Sequence, residues 1–360
     1  MRVKPPGADE ILSFVESATA SSGHLSDNVA ATPSSNRRTV VRAGIACSIA
    51  STPLRLLAQQ PTKLRRIGVL IPQSPSVADG IVARVFTALR ERGYDERSIA
   101  FDVRATDGDS DRLRRSAEEL VALQVDLIVA VRPPAIIAAR RATKTIPIVM
   151  VFWGGPGLIE SGTIKSLGRP GTNVTGMYML GTEMDDKRMQ LLLVAVPTAR
   201  RIAMLGSLDA TGLAQLRMVT AAAKAELFMS DVPQTSDGYD RAFESFAKAR
   251  TDAVCVASTP RFTEERAQII AAAAKYRLPA MYPWSEMARD GGMMAYSPVL
   301  DELYRRAAAH IDRIFKGADP ASLPVEQPTR FELVINLKTA KALGVSIPQP
   351  LLVQADEVIE

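Results

Sequence analysis

The chain has 360 residues, 47% hydrophobic and 23% charged, enough for one large domain or two ordinary ones, and it is not disordered in bulk. The formal charge is +5, but the first 58 residues hold six basic and four acidic groups, which leaves 38 against 35. These charges are scattered singly or in pairs, so the balance argues against a nucleic-acid partner.

Residues 1 to 36 are polar and show no sustained period. The stretch "SNRRTVVRAGIACSIASTPLRLLAQQP" follows, with Arg37 and Arg38 ahead of an apolar run of small residues and Ala58 as a cleavage position. That layout is an export signal of twin-arginine type. Arg42 and Arg55 interrupt the run, so it does not read as a stable membrane span. Cys47 follows Gly44-Ile45-Ala46, a poor lipid-attachment box, so no lipid anchor is expected there. The N-terminal 58 residues therefore read as a polar extension plus an address. The expected location is the periplasm.

The first strand is Ile67 to Ile71, a continuous apolar run of the kind buried on both faces. Val77 to Arg92 has helical spacing and stops at Gly93. Ile99 to Val103 is a second strand, and Asp109 or Ser110 caps the helix whose apolar face is Leu113, Ala117, Leu120 and Val121. Asp126 to Val131 is a third strand, Pro133 and Pro134 open a helix, and Ile146 to Phe152 is a fourth strand. Strands and helices alternating over short links predict a parallel sheet wrapped by helices.

The same unit then returns. "RRIGVLIP" at Arg65 recurs as "RRIAMLGS" at Arg200, "VDLIVAVRPP" at Val125 as "TDAVCVASTP" at Thr251, and "KTIPIVMVFW" at Lys144 as "YRLPAMYPWS" at Tyr276, at offsets of 135, 126 and 132. Three matches in one order indicate duplication of a fold unit. The tail holds an amphipathic helix, "DELYRRAAAHIDRIFKG", a proline-punctuated connector, and a strand followed by a short helix in "FELVINLKTAKALGVSIP".

The segments "RRIGVLIP", "ERGYDERSIAFDVRATDGDSDRL", "KTIPIVMV", "GRPGTNVTGM" and "LPVEQPTRFELVINLKTAKALGVSIP" together resemble the substrate-binding proteins of ABC transporters, of the type I periplasmic binding protein group. Within that group the chain is similar to the family that includes tryptophan- and tyrosine-binding lipoproteins. The resemblance spans Leu64 to Glu360. It implies an α/β fold of two Rossmann-like lobes with parallel sheets flanked by helices and three interlobe crossings. Lobe one would be residues 64–178 and 293–320, and lobe two residues 179–292 and 321–360. Relatives often carry Asp-Pro after the fourth strand, where this chain has "FWGGPG".

In open parallel sheets, ligands bind beyond the carboxyl ends of the strands. In lobe one those positions are Gln73, Ser74, Arg132, Pro133, Phe152, Trp153 and Gly154. In lobe two they are Ser207, Ser258, Thr259, Trp284, Ser285 and Glu286. Trp153 and Trp284 fall at equivalent strand ends and are candidates to stack on a ligand. Ser74, Ser258 and Thr259 can donate to a carboxylate, or cap the helices they precede. Arg132 can pair with an acidic ligand and Glu286 with an ammonium. Asp107 and Asp237 read as turn residues, Cys255 as a buried small hydrophobe, and His310 as structural or exposed.

Two cysteines and two histidines leave no disulfide framework and no His-rich metal site, and no cofactor or metal is expected. No phosphate-cradling glycine loop follows the first strand, which argues against a nucleotide-using α/β enzyme. The expected function is non-enzymatic: capture of a small molecule, an amino acid or small carboxylate, by hinge closure, and delivery to an inner-membrane ABC permease. A monomer is expected. The alternative is a sensor that hands its bound state to a membrane receptor.

Overall fold

The computed structural model describes residues 64–154, 157–179, 182–232, 235 and 237–360. The export-signal reading, with Arg37, Arg38, Cys47 and Ala58, lies outside the described residues. Among the described residues no helix is long and apolar enough to cross a membrane.

β1 (Arg65–Ile71) lies inside the first sheet, hydrogen-bonded in parallel to β2 (Ile99–Ala105) on one side and β3 (Leu127–Val131) on the other. β4 (Ile148–Gly154) and β5 (Val174–Met179) complete the order β2-β1-β3-β4-β5. Helices cover both faces, which is why β1 and β3 are apolar without alternation. On one face, Ile67, Val69 and Ile71 pack on Ile81, Val85 and Leu89 of α1 (Pro75–Arg90). On the other, Leu70, Ile128 and Met150 pack on Leu120 of α2 (Ser110–Ala122) and Ile136 of α3 (Arg132–Ala142). Asp109 caps α2, accepting from the backbone N–H groups of Asp111 and Arg112, both at 2.9 Å.

The second sheet repeats the first. After α4 (Thr182–Ala195), β6 (Arg201–Leu205) pairs in parallel with β7 (Glu226–Ser230) and β8 (Ala253–Val256). α5 (Ala210–Ala222) and α6 (Gly238–Lys248) link these strands. α7 (Pro260–Glu264) and α8 (Arg266–Lys275) lead to β9 (Ala280–Tyr282), and α9 (Ser285–Arg289) leads to β10 (Met294–Pro298). Counted from β7, the order β7-β6-β8-β9-β10 is that of β2-β1-β3-β4-β5. The duplication seen in the residues is therefore a duplication of topology.

The tail then diverges. α10 (Leu300–Phe315) returns to the first lobe and packs on α1 and beside β4 and β5. The connector stays there: Glu326 bridges Met177, and Val325 donates to the Leu167 carbonyl at 2.8 Å. β11 (Phe331–Asn336) goes back to the second sheet, antiparallel to β10. α11 (Leu337–Leu343), α12 (Gln349–Gln354) and β12 (Glu357–Ile359) finish the chain. The chain thus passes between the lobes three times: after β5, after β10 and before β11.

Two lobe boundaries differ from expectation. The resemblance implies lobe one for Met294–Pro298, but β10 hydrogen-bonds to β9 and β11 in the second sheet. It implies lobe two for residues 321–326, but they lie along β5, where the Thr175 hydroxyl donates to the Leu323 carbonyl at 2.8 Å. In both places strand pairing sets the partner, and the apolar pattern alone does not name it.

Candidate functional site

The carboxyl ends of the central strands of the two sheets border one cavity of about 510 Å³. Gln73, Arg132, Pro133, Phe152 and Gly154 line it from the first lobe, and Ser207, Ser258 and Trp284 from the second. These are eight of the thirteen residues predicted from strand ends. Three contacts join the lobes around it. The Phe152 ring meets Trp284 edge-on at 6.2 Å, Arg84 faces Glu286 at 3.7 Å, and the Ser74 backbone N–H bonds to Glu264.

The other five do not line the cavity, each for a local reason. Ser74 is held by Ser76 at 3.1 Å. Thr259 caps α7 through the Phe262 N–H at 3.2 Å. Ser285 is fully buried and shares a hydrogen bond with Ser297 at 2.7 Å. Glu286 turns to Arg84. Trp153 sits in the first lobe's core beside Leu158 and Ile164.

A bulge explains Trp153. Along β4, Ile148 and Met150 face the α2–α3 side, and Val149 and Val151 face the opposite side. Strict alternation would send Trp153 with Val151. The register against β5 instead jumps from Met150↔Gly176 to Trp153↔Tyr178, three residues against two. One extra residue reverses every side chain after it. Phe152 therefore joins the Val151 side, toward the cavity, and Trp153 goes to the core. Phe152 adopts φ +64, a left-handed conformation costly for a bulky residue, as the bulge requires.

Arg132 on the cavity wall also takes a left-handed conformation, at φ +69. Its guanidinium lies over the Phe152 ring, 5.9 Å from the centroid. Burial pulls it below its ordinary pKa, and the nearby Glu264 carboxylate opposes that shift. Its Nε is buried and makes no hydrogen bond. The same is true of Trp284 Nε1 and of Gln73 Oε1. Buried polar groups without partners are rare and call for an explanation. Here three of them belong to residues that line one cavity.

Sequence reasoning missed Asp185 and Arg188 on α4 and Tyr304 on α10. Asp185 and Arg188 form a buried ion pair at 2.8 Å on the cavity wall. Arg188 also donates to the carbonyls of Tyr296 at 2.9 Å and Pro283 at 3.1 Å, tying the ends of β9 and β10 together. Burial raises the Asp185 carboxyl pKa, against the pull of Arg188. Tyr304 packs against Phe152 at 5.8 Å and backs the aromatic wall. The Asp-x-x-Arg spacing on a helix was visible, but such pairs are usually solvated. Nothing in the sequence places α10 behind Phe152.

The family described as ABC transporter substrate binding protein matches residues 66–359. The chain belongs to this family. The substrate-binding protein is 25% identical over 288 residues to a tyrosine-binding protein of Clostridioides difficile, covering 78% of this chain and 81% of the relative. Its fold superposes with a TM-score of 0.72 on an ABC domain from Streptococcus pneumonia in complex with L-Trp, at 26% identity over 82% of this chain and 99% of that one. A ligand-free, open substrate binding protein with adhesive properties from Clostridium difficile shares the fold at TM-score 0.61 and 20% identity, with the same coverages.

The remaining residues singled out in this substrate-binding protein have structural places. Asp107 takes φ +48 in the turn after β2. Asp237 pairs with Arg241 at 2.6 Å at the start of α6. His310 is fully buried between the Arg306 and Pro324 carbonyls, at 3.1 and 2.9 Å, where it fastens the connector to α10. Burial pushes the Cys255 thiol up to about 12, so it is not a thiolate at neutral pH.

Proposed function

We propose that this protein is the extracytoplasmic receptor of an ABC importer. It captures a small solute with an acidic oxygen group between its lobes, closes over it by hinge motion, and presents the closed form to an inner-membrane permease as a monomer. One observation carries this reading: Arg132 from one lobe and Trp284 from the other line the same cavity, and each holds a buried N–H, Nε and Nε1, without an acceptor. A solute acceptor that meets both donors binds only when the lobes are together. That difference in affinity is what drives closure. The cavity volume falls in the range of small-molecule sites.

Family membership supports the transport role, and L-Trp and tyrosine, named for the relatives, are the first solutes to test. Three passages of the chain between the lobes, after β5, after β10 and before β11, support a hinge there. The test is a titration of intrinsic tryptophan fluorescence with amino acids and small carboxylates. Saturable quenching or enhancement with at least one solute is the expected result. A flat response across the panel, with no solute protecting against heat, contradicts the reading.

A further inference from the structure

A second cavity, of about 310 Å³, lies on the second lobe alone and shares no lining residue with the one between the lobes. Ile270 of α8, Leu278, Met293 and Leu343 of α11 give it apolar walls. Its inner end is polar. Tyr282, the last residue of β9, lines it and is 1% exposed, and among the described residues its hydroxyl has no hydrogen-bond partner. A buried tyrosine hydroxyl ordinarily has one. The ring lies against Gly292, where a Cβ would stand 2.5 Å from it, so close packing keeps the hydroxyl from turning elsewhere.

The outer end is cationic. Arg277 and Lys338 line it and are exposed, and no carboxylate does. Arg277 is held by the Ala342 carbonyl at 3.1 Å. Among the described residues no carboxylate lies within ion-pair distance of either cation. Acids on the neighbouring elements are matched elsewhere: Asp290 pairs with Arg266 and Asp240 with Lys275, both at 2.6 Å. The Thr339 hydroxyl is also engaged, donating to the Gly291 carbonyl at 2.9 Å. The groups left without partners are therefore a hydroxyl at the inner end and the Lys338 ammonium at the mouth, with apolar walls between.

We infer that this cavity is a second ligand site, which takes a small hydroxyaryl carboxylate. The ligand hydroxyl shares a hydrogen bond with Tyr282, the ring packs between the apolar walls, and the carboxylate meets Lys338 at the mouth. Benzene fills a dry cavity of about 150 Å³, so this one holds a single ring with a substituent at each end. An acid without the hydroxyl leaves Tyr282 unpaired, and a neutral phenol leaves Lys338 unpaired. Every lining residue belongs to the second lobe, so binding here needs neither the interlobe cavity nor closure.

Calorimetry on the full chain with 4-hydroxyphenylacetate, phenylacetate and 4-hydroxyphenylacetamide tests this. The hydroxy acid is expected to bind five-fold or more tightly than either analogue. Tyr282→Phe removes a hydroxyl with no partner, so the unliganded melting temperature should hold while the advantage over phenylacetate disappears. In Lys338→Gln the advantage over the amide should fall at least two-fold. Arg132→Gln, which alters the interlobe cavity, should leave the Tyr282-dependent affinity unchanged. An advantage over phenylacetate that survives Tyr282→Phe, or that is lost in Arg132→Gln, overturns the second site and leaves the interlobe reading intact. No binding of the hydroxy acid overturns it as well, and leaves the Tyr282 hydroxyl to solvent. Failure of the interlobe reading shows separately, as a flat tryptophan titration across the solute panel.

Discussion

Two tryptophans occupy equivalent positions in the duplicated sequence, yet only Trp284 reaches the cavity, while Trp153 is core. This difference gives a direct prediction. Trp284→Phe should abolish the solute-dependent fluorescence change, and Trp153→Phe should keep it while lowering stability. Steady-state emission of the two variants against the same solute decides between them. Arg188 calls for a different measurement. It is 2% exposed and neutralises Asp185. Arg188→Met should cost about 3–5 kcal/mol in urea unfolding, because it strands a buried carboxylate, and Asp185→Leu in the same chain should recover most of that loss. Position at a strand end was enough to name Gln73, Arg132, Phe152 and Trp284 from the sequence. It did not separate these from Thr259 or Ser285, because capping and hydroxyl pairing depend on neighbours distant in sequence.

At the scale of elements, β4 and β5 shape the first lobe's side of the cavity. The bulge after Met150 turns Phe152 inward, and it exists because β5 offers Gly176 opposite Met150. Gly176 has φ +127, and a Cβ there would collide with the Met150 backbone oxygen. Gly176→Ala should therefore destabilise the protein by at least about 2 kcal/mol and weaken solute binding together with it. Denaturant unfolding and calorimetry read the two effects; full stability with normal binding would contradict the coupling. The parallel strands were legible because strands covered on both faces are written as unbroken apolar runs. The bulge was not, because one extra residue leaves hydrophobic composition unchanged. The antiparallel β11 and the lobe membership of β10 were hidden for a related reason: an apolar strand pattern does not state which edge it joins.

At the scale of the whole molecule, duplication places two similar sets of strand ends around one cavity, and α10 and β11 exchange the chain between lobes. Arg84 and Glu286 lie across the lobe boundary at 3.7 Å, with side chains 41% and 39% exposed. A pair this exposed is worth at most about 1 kcal/mol and weakens with salt. Glu286→Gln should therefore speed solute release by no more than about five-fold, an effect that fades at high ionic strength in stopped-flow dissociation. The duplicated architecture could be read from three repeated segments. The buried, unpaired N–H groups of Arg132 and Trp284 could not, since burial depends on neighbours distant in sequence.

Thermal unfolding of the protein against a small-solute library decides whether the lobes hold a solute between them. A solute held between the lobes at one hundred times its Kd adds about 2.7 kcal/mol to the native state, which raises the midpoint by about 4 °C in a chain of this size. Such a shift is expected for at least one small acidic solute, together with its loss in Arg132→Gln. No shift with any solute, or a full shift retained in Arg132→Gln, would contradict capture between the lobes.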